Sequence, residues 1–155
     1  MNILGAYCPD DHEYLDRRYT DQNLNAQSVI ELFTLMMARH PDTKLFRIYL
    51  DNARYHHAVV LKEWIAQVKL ERGVVFDLKH LPAYSPNLNL IERLWKFLRK
   101  HALQQWHATY EAMQAAVAKV LDHLEDYRDE LTTLMTERFH LVPAIPAETV
   151  PVWGK

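Results

Sequence analysis

The sequence predicts an α/β domain with a partly parallel sheet. Strand-like apolar runs alternate along the chain with stretches whose apolar residues recur at helical spacing. One run, Leu45 to Leu50, is compact and apolar, as expected of a buried strand between two helices. The 155 residues are 49% hydrophobic and 25% charged, enough for one domain with its own core and too few for two.

Ile3 to Tyr7 reads as a strand, the cluster from Cys8 to His12 as a turn, and Glu13 to Thr20 as a second strand, together a hairpin. From Asn25 the period changes. Val29, Leu32, Phe33, Met36 and Met37 fall on one helical face, with Asn23 or Asn25 as cap and Pro41-Asp42 as terminator. After the Leu45–Leu50 strand, Asp51-Asn52 makes a turn. His57, Val60, Leu61, Trp64, Ile65 and Val68 then form a second helical stripe, ended by Gly73. Val74 to Leu81 is a further strand, and Pro82 to Asn87 a loop stiffened by two prolines. Ile91, Leu94, Trp95 and Leu98 mark a third helix, and Met113 to Leu124 a long last one. The domain is expected to occupy residues 1–142, with an extended tail over 143–155 that holds three prolines.

Composition excludes several classes. Three glycines leave no glycine-rich phosphate loop, and the single cysteine, Cys8, excludes an intrachain disulfide and a thiolate zinc cluster. A reducing, cytoplasmic setting is expected. No apolar run approaches the roughly 18 residues of a membrane span, and the N-terminus has no basic segment followed by an apolar stretch. The net charge of −2 is unevenly spread. Residues 51–104 hold nine Lys/Arg against five Asp/Glu, whereas both flanking thirds are acidic. Only this middle third offers a footprint for a polyanion, although the same charges also suit an ordinary solvated surface.

Two acids stand where chemistry is expected. Asp51 follows the buried strand, at the carboxyl edge where open α/β sheets bind ligands. Glu92 falls in the first turn of the helix after the proline-stiffened loop. Carboxylates converging on one crevice are hard oxygen ligands suited to Mg²⁺ or Mn²⁺. Each acid also has a plain structural reading, Asp51 as a turn or cap residue and Glu92 as a complement to the helix dipole.

The segment from Leu50 through Asp51-Asn52-Ala53-Arg54-Tyr55 to His56-His57 resembles the second-acid motif of DDE transposases from mariner-like bacterial insertion sequences. Leu81-Pro82-Ala83-Tyr84-Ser85-Pro86-Asn87-Leu88-Asn89-Leu90-Ile91-Glu92-Arg93-Leu94-Trp95 resembles their third-acid motif, Leu-Pro-x-Tyr-Ser-Pro-x-Leu-Asn-Pro-Ile-Glu-x-x-Trp. The resemblance covers roughly residues 1–140, including the opening from Asn2 to Tyr7. It implies a ribonuclease-H-like mixed sheet flanked by helices, with three acids holding two divalent ions, Mg²⁺ or Mn²⁺. The implied activity is DNA cleavage and strand transfer in transposition. By resemblance Asp51 is the second acid and Glu92 the third. The implied partners are transposon-end and target DNA.

Three departures qualify the match. Leu90 replaces the family's usual proline, which alters helix entry more than chemistry. The separation of 41 positions from Asp51 to Glu92 exceeds the family's most familiar spacing. The first acid has no counterpart: Asp10, Asp11, Asp16 and Asp21 all lie in or beside the hairpin, and none matches that motif. The expectation is therefore a sheet missing its first, central strand, and a chain inactive alone. A non-catalytic remnant that only binds DNA or another subunit is the alternative. Unpaired edges would invite a second copy or a segment encoded upstream. Phosphate contacts are expected from Arg54, Arg93, Lys96, Arg99 and Lys100, a solvated helix face being the alternative. His56 and His57 are candidates for metal or DNA contact, but His57 shares the apolar stripe and is expected in the core; Ser85 is expected as loop geometry without a catalytic base.

Overall fold

The computed structural model describes residues 1–82 and 88–136. Residues 83–87 of the proline-stiffened loop, with Ser85, and the expected tail at 143–155 lie outside the described residues.

Strands β1 (Asn2–Cys8) and β2 (Glu13–Tyr19) form an antiparallel hairpin, in register from Asn2↔Tyr19 to Cys8↔Glu13. Its turn holds His12 at φ 58, whose Nδ1 lies 2.6 Å from the Tyr7 hydroxyl. Alternation along β1 splits its side chains between two cores. Leu4 packs towards helix α1 (Ala26–Arg39), whereas Ile3 and Tyr7 pack into a second cluster. Asn25 starts α1 with a reciprocal cap: its side chain accepts from Gln27 and Ser28 N–H at 2.8 and 3.2 Å, and Ser28 Oγ accepts from the Asn25 N–H at 3.3 Å.

Strand β3 (Leu45–Leu50) pairs in parallel with β4 (Val75–His80), from Leu45↔Val75 to Leu50↔His80. Helix α2 (Val59–Arg72) makes the crossover and ends at Gly73, whose φ of 65 closes the helix in the left-handed region. The inner face of this pair carries Phe46, Ile48, Phe76 and Leu78 against α1 and α2. Phe76 stacks on Phe33 of α1 at 4.7 Å and on Phe46 at 5.2 Å. The other face is polar at its centre, where Asp77 pairs with Arg47 and Lys79, both at 2.9 Å.

Helices α3 (Leu90–Leu98), α4 (Tyr110–Asp122) and α5 (Arg128–Leu134) build the second core. Leu94, Phe97, Leu98, Ala102, Val117, Val120, Leu121 and Met135 are buried there. Trp95 reaches the hairpin, where its ring meets Tyr14 edge-on at 6.4 Å. The hairpin thus lies between α1 on one face and the α3–α4 layer on the other.

Three expectations need correction. Among the described residues the strands form two two-stranded sheets, β1–β2 and β3–β4, not one mixed sheet. Among those residues, each of β1 and β3 pairs along one edge only, and they do not pair with each other. Helix α1 spans the division, since its core residues meet Leu4 of β1 as well as Phe46 and Phe76. The last helix is broken: α4 stops at Asp122, a 3₁₀ turn runs over Leu124–Tyr127, and α5 follows. No glycine or proline marks that break. Beyond α3, which ends at Leu98 as expected, Arg99–Leu103 widens into a π-turn. Finally, His57 is not a core residue. A 3₁₀ turn at Arg54–His57 precedes α2, so the helical stripe starts later than its spacing implied. His57 is exposed and stacks on His80 at 4.4 Å, while the His56 side chain is only 10% exposed.

Candidate active site

Asp51 is the first residue after β3, at the carboxyl end of the parallel pair. Its Oδ1 accepts from the Ala53 N–H at 3.0 Å, an Asx turn that directs the chain into the 3₁₀ turn. The same oxygen lies 3.1 Å from His56 Nδ1, which is also 3.2 Å from the Asp51 carbonyl oxygen. His80, the last residue of β4, approaches that carbonyl with its Nδ1 at 3.4 Å. Burial holds the His56 imidazole below the ordinary histidine range, despite the nearby Asp51. Burial also pushes the Tyr55 hydroxyl up, with Asp51 as a lesser cause.

The two acid-bearing segments are tied at their bases. The Leu81 N–H donates to Leu50 O at 2.8 Å, prolonging the ladder past β4. Asn52 Nδ2 donates to Leu81 O at 3.0 Å. The chain leaving β4 towards Glu92 is thereby pinned beside Asp51. Glu92 lies in the first turn of α3, its N–H bonded to Asn89 O at 3.1 Å, and is half-buried. Asn89 provides no side-chain cap, so the acidic group serves the exposed N–H end of the helix. Among the described residues, no three or more His, Cys, Asp or Glu side chains are grouped to hold a metal ion. The chemistry of Asp51 and Glu92 suits a hard cation, but two carboxylates alone make a sparse donor set.

The basic residues divide by environment. Arg93 donates from Nη1 to Leu134 O at 3.0 Å and Thr136 O at 2.6 Å, so its head group caps the end of α5. Lys100 pairs with Glu130 at 2.8 Å, and His101 meets the other oxygen of that carboxylate at 3.0 Å. The Lys100 hydrogen bond, more than any other influence, holds the Glu130 carboxyl below its usual range. Lys96 and Arg99 are exposed on the outer side of α3 and the π-turn. Arg54 is exposed in the 3₁₀ turn that follows Asp51. Sequence reasoning names His56 only as one of two candidate histidines, and does not single out Asn52 or His80 as neighbours of Asp51. The adjacent histidines after Asp51 are the signal in the sequence, and helical periodicity bears on His57 rather than on His56.

The fold and these residues define an α/β domain with acids at the end of its parallel strand pair and in the first turn of a later helix. The chain belongs to the DDE superfamily endonucleases, whose family model matches residues 1–114. It is also similar to a transposable element Tc3 transposase of Caenorhabditis elegans, 30% identical over 123 residues. That match covers 77% of the chain and 35% of the relative, so the chain spans about a third of the relative's length. No solved structure matches it significantly. Among the described residues, no helix is long and apolar enough to cross a membrane.

Proposed function

We propose that this chain is part of the catalytic domain of a transposase, with Asp51 and Glu92 as two of the acids that bind divalent metal. In the complete ribonuclease-H-like site, Mg²⁺ or Mn²⁺ ions would activate the attacking oxygen and stabilise the leaving one at a DNA phosphodiester. The observation that carries this reading is the clamp between the two motif segments, Asn52 to Leu81 O and Leu81 N–H to Leu50 O. It fixes the start of the Glu92 segment beside Asp51, as family membership leads one to expect.

The remaining carboxylate would arrive on a strand seated between β1 and β3. Both have one edge unpaired within the described residues, and α1 floors both sheets. A segment encoded upstream, or a second copy of the chain, would fill that position. DNA at transposon ends and target would be the substrate, held at its phosphates by Lys96, Arg99 and Arg54, with Lys100 and Arg93 contributing less. A cytoplasmic location accompanies this reading.

The sparse donor set favours one second reading, a non-catalytic remnant that binds DNA or another subunit. A nicking assay on supercoiled plasmid with Mn²⁺, paired with Mn²⁺ titration, separates the two. The expected result is Mn²⁺ binding that Asp51→Asn and Glu92→Gln each weaken, without cleavage by this chain alone. Cleavage abolished by both substitutions would show the site to be complete as it stands. Mn²⁺ binding indifferent to both would favour the remnant.

A further inference from the structure

We infer that His56 is a positioning residue for Asp51, fixing one carboxylate oxygen so that the other faces outward for a ligand; this rests on the active-site reading of Asp51. His56 Nδ1 has two neighbours, Asp51 Oδ1 at 3.1 Å and the Asp51 carbonyl oxygen at 3.2 Å. Both are acceptors, so the nitrogen carries the proton; it hydrogen-bonds to the carbonyl oxygen and stands in close electrostatic contact with Oδ1. Oδ1 also receives the Ala53 N–H at 3.0 Å. Oδ1 thus accepts one hydrogen bond and faces the protonated edge of the His56 ring, and Oδ2 accepts no hydrogen bond among the described residues. The Asp51 side chain is 59% exposed, so Oδ2 is open to a cation.

The imidazole is itself held rigidly. Its side chain is 10% exposed, and its ring meets Tyr55 edge-on at 4.5 Å. His80 approaches the same Asp51 carbonyl from the end of β4 and is backed by the stacked His57 ring. The Ala53 N–H and the His56 ring together hold the carboxylate against rotation about its side-chain bonds. Partners that orient a ligating group ordinarily matter about 10- to 100-fold in metal affinity.

The arrangement requires a proton on His56 Nδ1, which among the neutral tautomers is the less common form in free histidine. Long-range ¹H–¹⁵N spectra of the unmodified chain at neutral pH test this without any metal. An Nδ1–H tautomer is expected, and an Nε2–H tautomer overturns the inference. The second arm is Mn²⁺ titration of His56→Asn, His56→Gln and His56→Ala, with folding checked by thermal melting. Asparagine places its N–H₂ where Nδ1 stood and should stay within about threefold of the unmodified chain. Glutamine and alanine should weaken binding about tenfold or more. Equal loss in all three, or none in any, overturns the positioning role. Asp51→Asn separates the two levels. If it abolishes Mn²⁺ binding while His56→Ala does nothing, only the positioning role falls; if it changes nothing, the active-site reading falls and takes the role with it.

Discussion

Asn52 donates its side-chain amide to the carbonyl oxygen of Leu81 at 3.0 Å, joining the residue after Asp51 to the residue after β4. Its replacement should therefore act on two segments at once. Asn52→Ala is expected to cost about 1 kcal/mol, the usual net worth of one such hydrogen bond. Asn52→Asp should cost more, because it sets an anionic acceptor against a carbonyl. Urea denaturation measures both losses. Hydrogen exchange at the Leu81 amide should quicken in each variant, since its bond to Leu50 O lies in the same clamp. Unchanged exchange would mean that the strand ladder holds this loop without Asn52.

That clamp also shows what the sequence could and could not convey. The strands, the Asn25 cap and the Gly73 stop are local signals, fixed by alternation and by residues with few conformational options. The motif around Asp51 could be recognised from residue order alone. The partners of Asp51 were hidden, because His80 and Leu81 come together with it only through the parallel pairing of β3 and β4. Periodicity also misjudged His57, since a 3₁₀ turn rotates residues differently from the α2 helix that follows. The division into two sheets is likewise a matter of tertiary edges, which no local pattern encodes.

Gly5 should not tolerate a side chain. A Cβ there would lie 2.9 Å from Trp95 Cη2 and 2.9 Å from Tyr14 Cε2, both in rigid rings. Gly5→Ala is expected to destabilise the chain by roughly 1–3 kcal/mol, the usual range for overpacking. Adding Trp95→Leu should recover part of that loss, because the clashing ring is removed. Chemical denaturation of the two single variants and the double variant measures the coupling. Strictly additive losses would show that Gly5 and Trp95 do not compete for space.

Arg93 should behave as a structural residue. Its guanidinium binds the carbonyls of Leu134 and Thr136, at the end of α5. Arg93→Ala is expected to cost about 1.5–3 kcal/mol, the range for hydrogen bonds to a charged group. Exchange should quicken at the amides of α5 before those of α1. Any loss of DNA binding should follow the loss of folded protein. A folded Arg93→Ala chain with sharply weakened DNA affinity would instead make Arg93 a phosphate contact.

Glu130 should titrate below the ordinary carboxylate range, chiefly because it accepts a hydrogen bond from Lys100. A depressed folded-state value means that the unfolded chain binds the proton more readily. The stabilisation is therefore full above the ordinary glutamate range and is lost as pH falls through the lowered folded value. Carboxyl ¹³C shifts should show this low midpoint, and Lys100→Ala should raise it. The group is largely solvent-facing, so the accompanying change in stability should be small and screened by salt. An unmoved midpoint in Lys100→Ala would show that His101 alone sets it.

The exposed cations on the outer side of α3 should dominate DNA affinity. Lys96 and Arg99 have no ion pair among the described residues, so meeting a phosphate breaks nothing. Lys100 must first leave Glu130, at 2.8 Å, which offsets part of any gain. Lys96→Ala and Arg99→Ala should each weaken binding to any sequence, since phosphate contacts carry no base information. Each should also reduce the slope of log affinity against log salt by about 0.9, one released counterion per phosphate. Lys100→Ala should change both quantities less. Fluorescence anisotropy with labelled duplexes of unrelated sequence, across a series of salt concentrations, measures all three. If Lys100→Ala proved as damaging as the other two, the ion pair with Glu130 would have to open at no cost on DNA. If all three variants kept the unmodified salt slope, this helix face would lie away from the DNA, leaving Arg54, exposed in the turn after Asp51, as the cation to test next.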